Sequence, residues 1–283
     1  MNSKLTILYD NIRWEEKALY EAARKKGLDV KTLNCTDLFV DLSNGVAETY
    51  GTVLQRCVSY FRSLHSTAAL EGKGVRVVNG FNTSVIAGNK LFAHMQLQKA
   101  GIATPKSMLA FSQDSALNAL EKLGYPSVLK PTIGSWGRLI ALLKDRDSAE
   151  SIIEDREHMF PLYHVYYLEE FVKRPPRDIR AVVIGDRLVG AIYRYSPEGK
   201  WKTNMALGGR AETCPITKEL EDLCVKASKT LNGEIVGVDL MESEDHGLLV
   251  HEVNNTTEFK NVVRVTGAEV PSLMVDYIAG SNR

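Results

Sequence analysis

Glu252 and Asn254 stand two residues apart at the end of the run Leu248-Leu249-Val250-His251-Glu252-Val253-Asn254. Strand side chains alternate between faces, so this spacing sends a carboxylate and an amide carbonyl to one side and His251 to the other. A second apolar stretch, Ile235–Leu240, carries Asp239 and is followed by a turn at Glu244–Gly247. A loop of residues 244–247 pairs Ser243 with Leu248 and therefore Asp239 with Glu252, and directly opposed residues share a face. Two carboxylates so placed repel unless a cation lies between them, and a set of hard oxygens suits Mg²⁺ held with water and phosphate. The competing reading pairs both acids with nearby Lys or Arg, Lys260 among them.

Further stretches suit phosphate and purine binding. Lys130 ends an apolar run and leads into PTIGSWGRL, where Gly134, Ser135 and Gly137 let backbone approach an anion while Lys130 and Arg138 flank it with positive charge. A plain hairpin turn is the alternative. Lys90, in AGNK, sits at an expected helix N-terminus, where the helix adds its own positive potential; otherwise it is a surface lysine. EEFVKRPPRDIR places a polar, proline-containing segment between two strands, able to offer backbone groups to a purine edge and Asp178 to a ribose hydroxyl. Its alternative is a charged loop in which Asp178 and Arg180 pair with each other.

Alternating elements must position these groups. Leu5–Tyr9, a helix over Glu15–Lys26, Asp29–Leu33, Tyr50–Arg56, a helix near Leu64–Glu71 and Val75–Asn79 form an open α/β layer with a parallel sheet. A helix at Asn89–Lys99 follows, then strands at Ser107–Phe111, Ser127–Lys130 and Arg138–Leu143 with a helix over Asp114–Leu123. Strands at YYLEEFV, DIRAVVIG and LVGAIYRY, a helix at Lys218–Leu231, and strands IVGVDLME and LLVHEVN complete the chain. The expected fold class is α/β, with lobes at 1–85, 86–168 and 169–283.

Equal counts of 35 basic and 35 acidic residues give no global field for nucleic acid or a membrane surface. The first apolar run is too short for a signal segment, none approaches a membrane span, and Cys35, Cys57, Cys214 and Cys224 form no C-x-x-C pair, so a cytoplasmic location is expected. Absence of G-x-G-x-x-G argues against a dehydrogenase and absence of G-x-x-x-x-G-K-[ST] against a P-loop.

The ordered set of Lys90, Lys130 with GSWGR, EEFV, DIR, and Asp239/Glu252/Asn254 resembles the ATP-grasp fold in its RimK-like branch. KPTIGSWGRL, RDIRAVVIG, AIYRYS and NNTTEFKNVVRVTGAEVP are similar to the LysX-type α-aminoadipate–LysW ligases, with the ArgX-type glutamate–LysW ligases as sisters. The resemblance implies an N-terminal α/β layer and two further lobes clamping ATP. It places Lys90 and Lys130 on the phosphates, a cover of Gly134, Ser135, Trp136, Gly137, Arg138, Leu139 and Ile140, an adenine frame of Glu170, Phe171 and Val172, and Asp178 with Arg180 of DIR at the nucleotide. Lys202, Thr203 and Asn204 adjoin it, Arg194 and Asn204 meet the amino acid or the acyl phosphate, and Gly208 and Gly209 let the backbone approach.

The same resemblance makes Asp239, Glu252 and Asn254 the ligands of magnesium, two ions in the family pattern, and Lys130 with Arg194 the catalytic cations. Thr256, Asn261 and Val262, beside Asn254, face the acceptor amino acid. The implied partners are a small acidic carrier protein, LysW, and α-aminoadipate or glutamate, in a homo-oligomer that binds neither nucleic acid nor membrane. Asn89 replaces a commoner Asp, Leu207 stands where many aminoadipate enzymes carry Arg, and Asn261-Val262 stands where glutamate enzymes typically have Gly-Phe. A nucleotide-binding sensor without catalysis is the rival of another class; retention of all three metal oxygens speaks against it.

Overall fold

Strand β1 (Lys4–Tyr9) buries four successive residues, Leu5 to Leu8, as expected of a strand covered on both faces. The computed structural model describes residues 4–43, 50–134, 137–203 and 210–280. β1 pairs in parallel with β2 (Asp29–Asn34) and β3 (Thr52–Gln55), and β3 with β4 (Val77–Val78), in the order β2-β1-β3-β4. Helices α1 (Trp14–Lys25) and α2 (Tyr60–Glu71) belong to this layer. Two short helices, α3 (Phe81–Ala87) and α4 (Lys90–Lys99), lead to the next sheet, and Asn89 caps α4 by accepting from the N–H groups of Leu91 and Phe92 at 3.0 and 3.3 Å.

The middle sheet is antiparallel, in the order β5-β8-β6-β7, from β5 (Ser107–Ala110), β6 (Ser127–Lys130), β7 (Ala141–Leu143) and β8 (Tyr166–Glu170). Helices α5 (Gln113–Leu123) and α6 (Arg146–Glu157) cover it through Leu117, Leu120, Ala149 and Ile153. The sequence reading assigns no helix over Arg146–Glu157, although Asp145 and Ser148 form a capping box there. β7 starts later than the expected Arg138, because Gly137 and Leu139 take left-handed φ values of 66° and 56° and hold the chain in a turn. The boundary expected between 168 and 169 falls inside β8, which is hydrogen-bonded to both β5 and β6 as far as Glu170.

The third sheet carries the site. Its antiparallel order is β11-β10-β9-β12-β13, from β9 (Arg177–Ile184), β10 (Arg187–Tyr195), β11 (Arg210–Thr213), β12 (Ile235–Ser243) and β13 (Gly247–Asn254). Along β9 the period of two divides the strand: Ile179, Ala181 and Val183 pack with helix α7 (Lys218–Thr230) and α4, while Val182 and Ile184 join a second core with α1 and the final helix. Asp178 and Arg180 share that second face beyond the apolar pair. One face is therefore core at one end and polar cleft at the other. Helices α8 (Lys260–Thr266) and α9 (Val270–Gly280) fill the apolar end, and Val262, Val270, Met274 and Ile278 tie it to Leu5 and Ile7 of β1.

A buried ion pair fastens the N-terminal layer to the segment before α8. Arg56 Nε donates to Glu16 at 3.0 Å, and its Nη1 donates to the Thr257 carbonyl at 2.9 Å. Burial opposes ionisation of Glu16, yet Arg13 and Arg56 prevail and hold its pKa below the usual carboxylate value. Stability from this group is thus present at neutral pH and lost as pH falls through the lowered pKa. Glu16→Gln is expected to lower unfolding stability by about 3 kcal/mol at pH 7, because it leaves the Arg56 charge buried with neutral partners, and the difference should shrink in acid. Urea titrations of both proteins at pH 7 and pH 3 check this; equal stability at pH 7 contradicts it.

Candidate active site

Two pairs of opposite charge lie directly across β9, and they set the floor of the cleft. Arg194 of β10 opposes Asp178, and Arg180 opposes Asp239 of β12. Arg194 donates through Nε and Nη2 to the two oxygens of Asp178 at 2.7 and 2.9 Å, and its Nη2 also lies 3.1 Å from Asp239. Arg180 grips Asp239 with Nε and with Nη2, the latter at 2.9 Å. Thr203 Oγ1 donates to Asp178 as well. Burial disfavours charge on Arg194 and Asp239. The guanidiniums nonetheless hold the Asp239 pKa down, and Asp239 with Asp178 pushes that of Arg194 up.

Asp239 and Glu252 are opposed as the sequence implies, but by a different route. The turn is one residue shorter than expected, with Ser243 opposite Gly247, and a β-bulge at His251 restores the register before Asp239 and Glu252. The bulge reverses the faces: Val250 and Val253, three apart, both enter the α7 core, while Glu252 and Asn254 turn to the cleft. His251, expected on the far face, instead lines the cleft, because the bulge inserts it as an extra residue. Its Nε2 lies 2.5 Å from Lys130 Nζ.

Lys130 is fixed between His251 and Glu169, whose carboxylate accepts from Nζ. Lys130 opposes Tyr167 on β8, so Glu169, two residues on, shares its face. Burial drives the lysine pKa down and the Glu169 pKa up, and each partner pulls the other back. Burial followed by repulsion from Lys130 and Lys90 holds His251 well below its ordinary pKa. Lys90 reaches across the cleft, its Nζ 2.8 Å from the Gly134 carbonyl and 3.2 Å from Glu252. Lys202 Nζ donates to the carbonyls of Gly137 and Ile140 at 3.1 and 2.9 Å, tying β10's outgoing chain to the glycine loop.

Apart from Lys90, these charged groups border one cavity of about 970 Å³, together with Gly134, Gly137, Arg138, Ile140, Glu170, Phe171, Val172, Asn254, Thr256, Asn261 and Val262. Ser135, Trp136, Asn204, Leu207, Gly208 and Gly209 lie outside the described residues. Leu139 is exposed beside the loop, and its carbonyl accepts from Arg156 at 2.6 Å. Glu170 has its backbone N–H and its carboxylate both engaged with the backbone of Lys106. Val262 is 1% exposed and packs where a Cβ on Gly190 would lie 2.7 Å from its Cγ1, so only its edge meets the cavity. The ion-pair alternative for the two acids is met, though not through Lys260: Asp239 pairs with Arg180 and Arg194, and Glu252 with Lys90. The alternative for Asp178 fails, since it pairs with Arg194 rather than Arg180.

Glu169, Arg174, Trp201 and Arg13 also line the cavity, beyond the residues that motif spacing indicates. Glu169 was accessible by the same alternation that placed Glu252, since residues 167 and 169 share a face. Trp201 stands 6.1 Å from Phe171, ring edge to face, and gives the cavity an aromatic wall suited to a purine. Its position depends on how the chain returns after β10. Arg13 comes from another layer altogether.

Donor chemistry decides what the cleft can hold. Glu252 and the Asn254 carbonyl oxygen are hard donors, and Asn254 Nδ2 is buried without a hydrogen-bond partner, which leaves an N–H free to donate to a ligand oxygen such as a phosphate's. Asp239 is hard too, but two guanidiniums already occupy it. Among the described residues no cluster of three or more His, Cys, Asp or Glu suited to a metal occurs. The set fits magnesium bound through few protein oxygens with phosphate supplying others, and does not fit zinc.

Residues 87–278 match the RimK-like ATP-grasp domain and residues 5–86 the LysX preATP-grasp domain. The chain belongs to the RimK-like ATP-grasp family. It is 38% identical over 275 residues to the α-aminoadipate–LysW ligase LysX of Sulfurisphaera tokodaii, covering 96% of each chain. It is 33% identical to the glutamate–LysW ligase ArgX of Sulfolobus acidocaldarius, covering 97% of this chain and 98% of that one. The crystal structure of a RimK-domain ATP-grasp protein from Sphaerobacter thermophilus superposes with a TM-score of 0.79 at 23% identity, covering 97% of this chain and 98% of that one. Among the described residues no helix is long and apolar enough to cross a membrane.

The two carboxylates nearest the lysines should differ in structural weight. Glu169→Gln removes the countercharge of a buried ammonium and is expected to cost about 3–5 kcal/mol of stability. Glu252, whose side chain is 26% exposed with one ion pair, should tolerate Glu252→Gln within about 1 kcal/mol. Denaturant midpoints measured in parallel check the contrast, and equal losses in the two variants contradict it.

Proposed function

We propose that this protein joins the α-amino group of α-aminoadipate to the C-terminal glutamate γ-carboxylate of a small acidic carrier protein of the LysW kind, through an acyl phosphate made with ATP. The ATP-dependent ligase class follows from family membership. The observation that carries the finer reading is the convergence of Lys130 and the Glu252/Asn254 oxygens on one cavity, with Lys90 3.2 Å from Glu252, in a chain whose relatives of that specificity align over nearly its full length. The reaction belongs to lysine biosynthesis on this reading.

Phe171 and Trp201, in contact edge to face, would wall the purine on one side, with Asp178 and Arg180 toward its ribose. Lys90 and Lys130 would meet the phosphates, and the glycine loop, held by Lys90 and Lys202 through its carbonyls, would lie over them. Glu252 and Asn254 would hold magnesium, with Asp239 kept by its two guanidiniums on the floor beneath, and the bound metal would neutralise phosphate charge. Lys130 is held rigidly by Glu169 and His251, so it presents fixed positive charge where the γ-phosphoryl departs. The carrier carboxylate takes up that phosphoryl group; the amine of the acceptor then attacks the acyl carbon, and phosphate leaves. Arg194, locked between two aspartates, supports the floor that positions these groups and faces the acyl phosphate from below.

Acceptor length is set near Asn261 on this reading. One methylene is worth only about 1–3 kcal/mol in a pocket, so glutamate is the natural competing acceptor. Val262 cannot be enlarged as an independent probe, because a Phe there would overpack the α8–β10 contact. Asn261→Gly is the cleaner variant.

Incubation with ATP, magnesium, carrier and each amino acid, followed by intact-mass measurement of the carrier, tests the function. An added aminoadipyl mass is expected, and Glu252→Gln is expected to abolish it, with a loss of at least about 10³-fold, while remaining folded. Near-normal ADP release by folded Glu252→Gln contradicts the metal assignment; addition of glutamate alone moves the acceptor to the shorter acid.

A further inference from the structure

An acidic amino-acid acceptor brings a distal carboxylate into the cleft, and the amide of Asn261 cannot neutralise it. Most cations of the cavity are already committed. Arg180 and Arg194 are enclosed by aspartates, Lys130 by Glu169, and Lys202 by two carbonyls. A less tightly held cation lies where α1 meets the segment before α8. Glu15 accepts there from the Lys260 N–H at 3.1 Å, which brings the start of α1 against residues 258–261.

Arg13 is fixed from behind in that corner. Its Nε and Nη2 donate to Glu16 at 3.2 and 2.8 Å, and Glu16 is fully buried. Its remaining nitrogen, Nη1, has a weaker contact, 3.4 Å to Glu258, whose side chain is 48% exposed. Arg13, Glu258 and Asn261 border the same cavity. A guanidinium anchored on one edge and loosely held on the other by a solvated carboxylate is a ready receptor for a second carboxylate.

We propose that Arg13 binds the distal carboxylate of the acidic amino-acid acceptor, and that Glu258 competes with that carboxylate for Nη1. This deepens the proposed function and rests on it. The parallel layer, residues 5–86, then contributes directly to acceptor selection, although the nucleotide and metal groups come from the other two sheets.

Steady-state kinetics with α-aminoadipate and with its uncharged δ-amide, on the full chain with ATP, magnesium and carrier, test the proposal. The unsubstituted enzyme should favour the acid over the amide by at least about tenfold in kcat/KM. Glu258→Gln removes the competing charge while Arg13 keeps its bonds to Glu16, and should lower KM for aminoadipate by about three- to tenfold with kcat, KM for ATP and KM for the amide little changed. Arg13→Gln, where circular dichroism shows it folded, should erase the preference for the acid by raising its KM about 10- to 100-fold. Transfer that proceeds with equal preference for acid and amide, or with an unaltered KM in Glu258→Gln, overturns the role of Arg13 and leaves the ligase reading standing. Absence of transfer to any amino acid, with folded enzyme and intact carrier, overturns both.

Discussion

Burying charge on the floor of a cleft is possible only when each charge meets an opposite one, and the cross-strand pairs on β9 supply that condition. Arg194–Asp178 and Arg180–Asp239 stand directly opposed, and Arg194 links the two by touching Asp239 as well. Any member alone would carry a desolvation penalty of several kcal/mol. Together they form a rigid plate on which Thr203 and the strand ends rest. The same plate limits the chemistry above it: Asp239 is already saturated by guanidiniums, so Glu252 and Asn254 are the oxygens with capacity to spare.

The bulge at His251 is the second constraint. Without the extra residue, Glu252 would follow Val250 into the apolar layer against α7, where a carboxylate has no partner. One inserted residue moves the acid to the cleft, keeps Val253 in the core, and lodges His251 beside Lys130. Core packing and site geometry are thus settled by one local irregularity.

Much of this was legible in the sequence because period-two alternation and turn chemistry are local. The Asp239–Glu252 pairing, the capping of α4 by Asn89 and the parallel first sheet all follow from spacing and residue type. The hairpin reading reached the right pair through a turn one residue too long and no bulge, two errors that cancel for Glu252 and fail for His251. Nothing local distinguishes a regular strand from a bulged one in LLVHEVN. Arg13, Trp201 and the partners of Arg180 and Arg194 depend on contacts between elements far apart in the chain, which spacing does not encode. The helix over Arg146–Glu157 is a different case: its capping box and the apolar Ala149, Ile152 and Ile153 are local signals that mark it.

On the proposed mechanism the carrier carboxylate is activated by phosphorylation within this cleft before the amine attacks. Carrier labelled with ¹⁸O in its terminal γ-carboxylate reports on it directly, since an acyl phosphate hands one carboxylate oxygen to the departing phosphate. Mass analysis of the phosphate released during ligation should find one ¹⁸O per amide formed. Unlabelled phosphate accompanying labelled amide, or release of AMP with the label, would contradict the account.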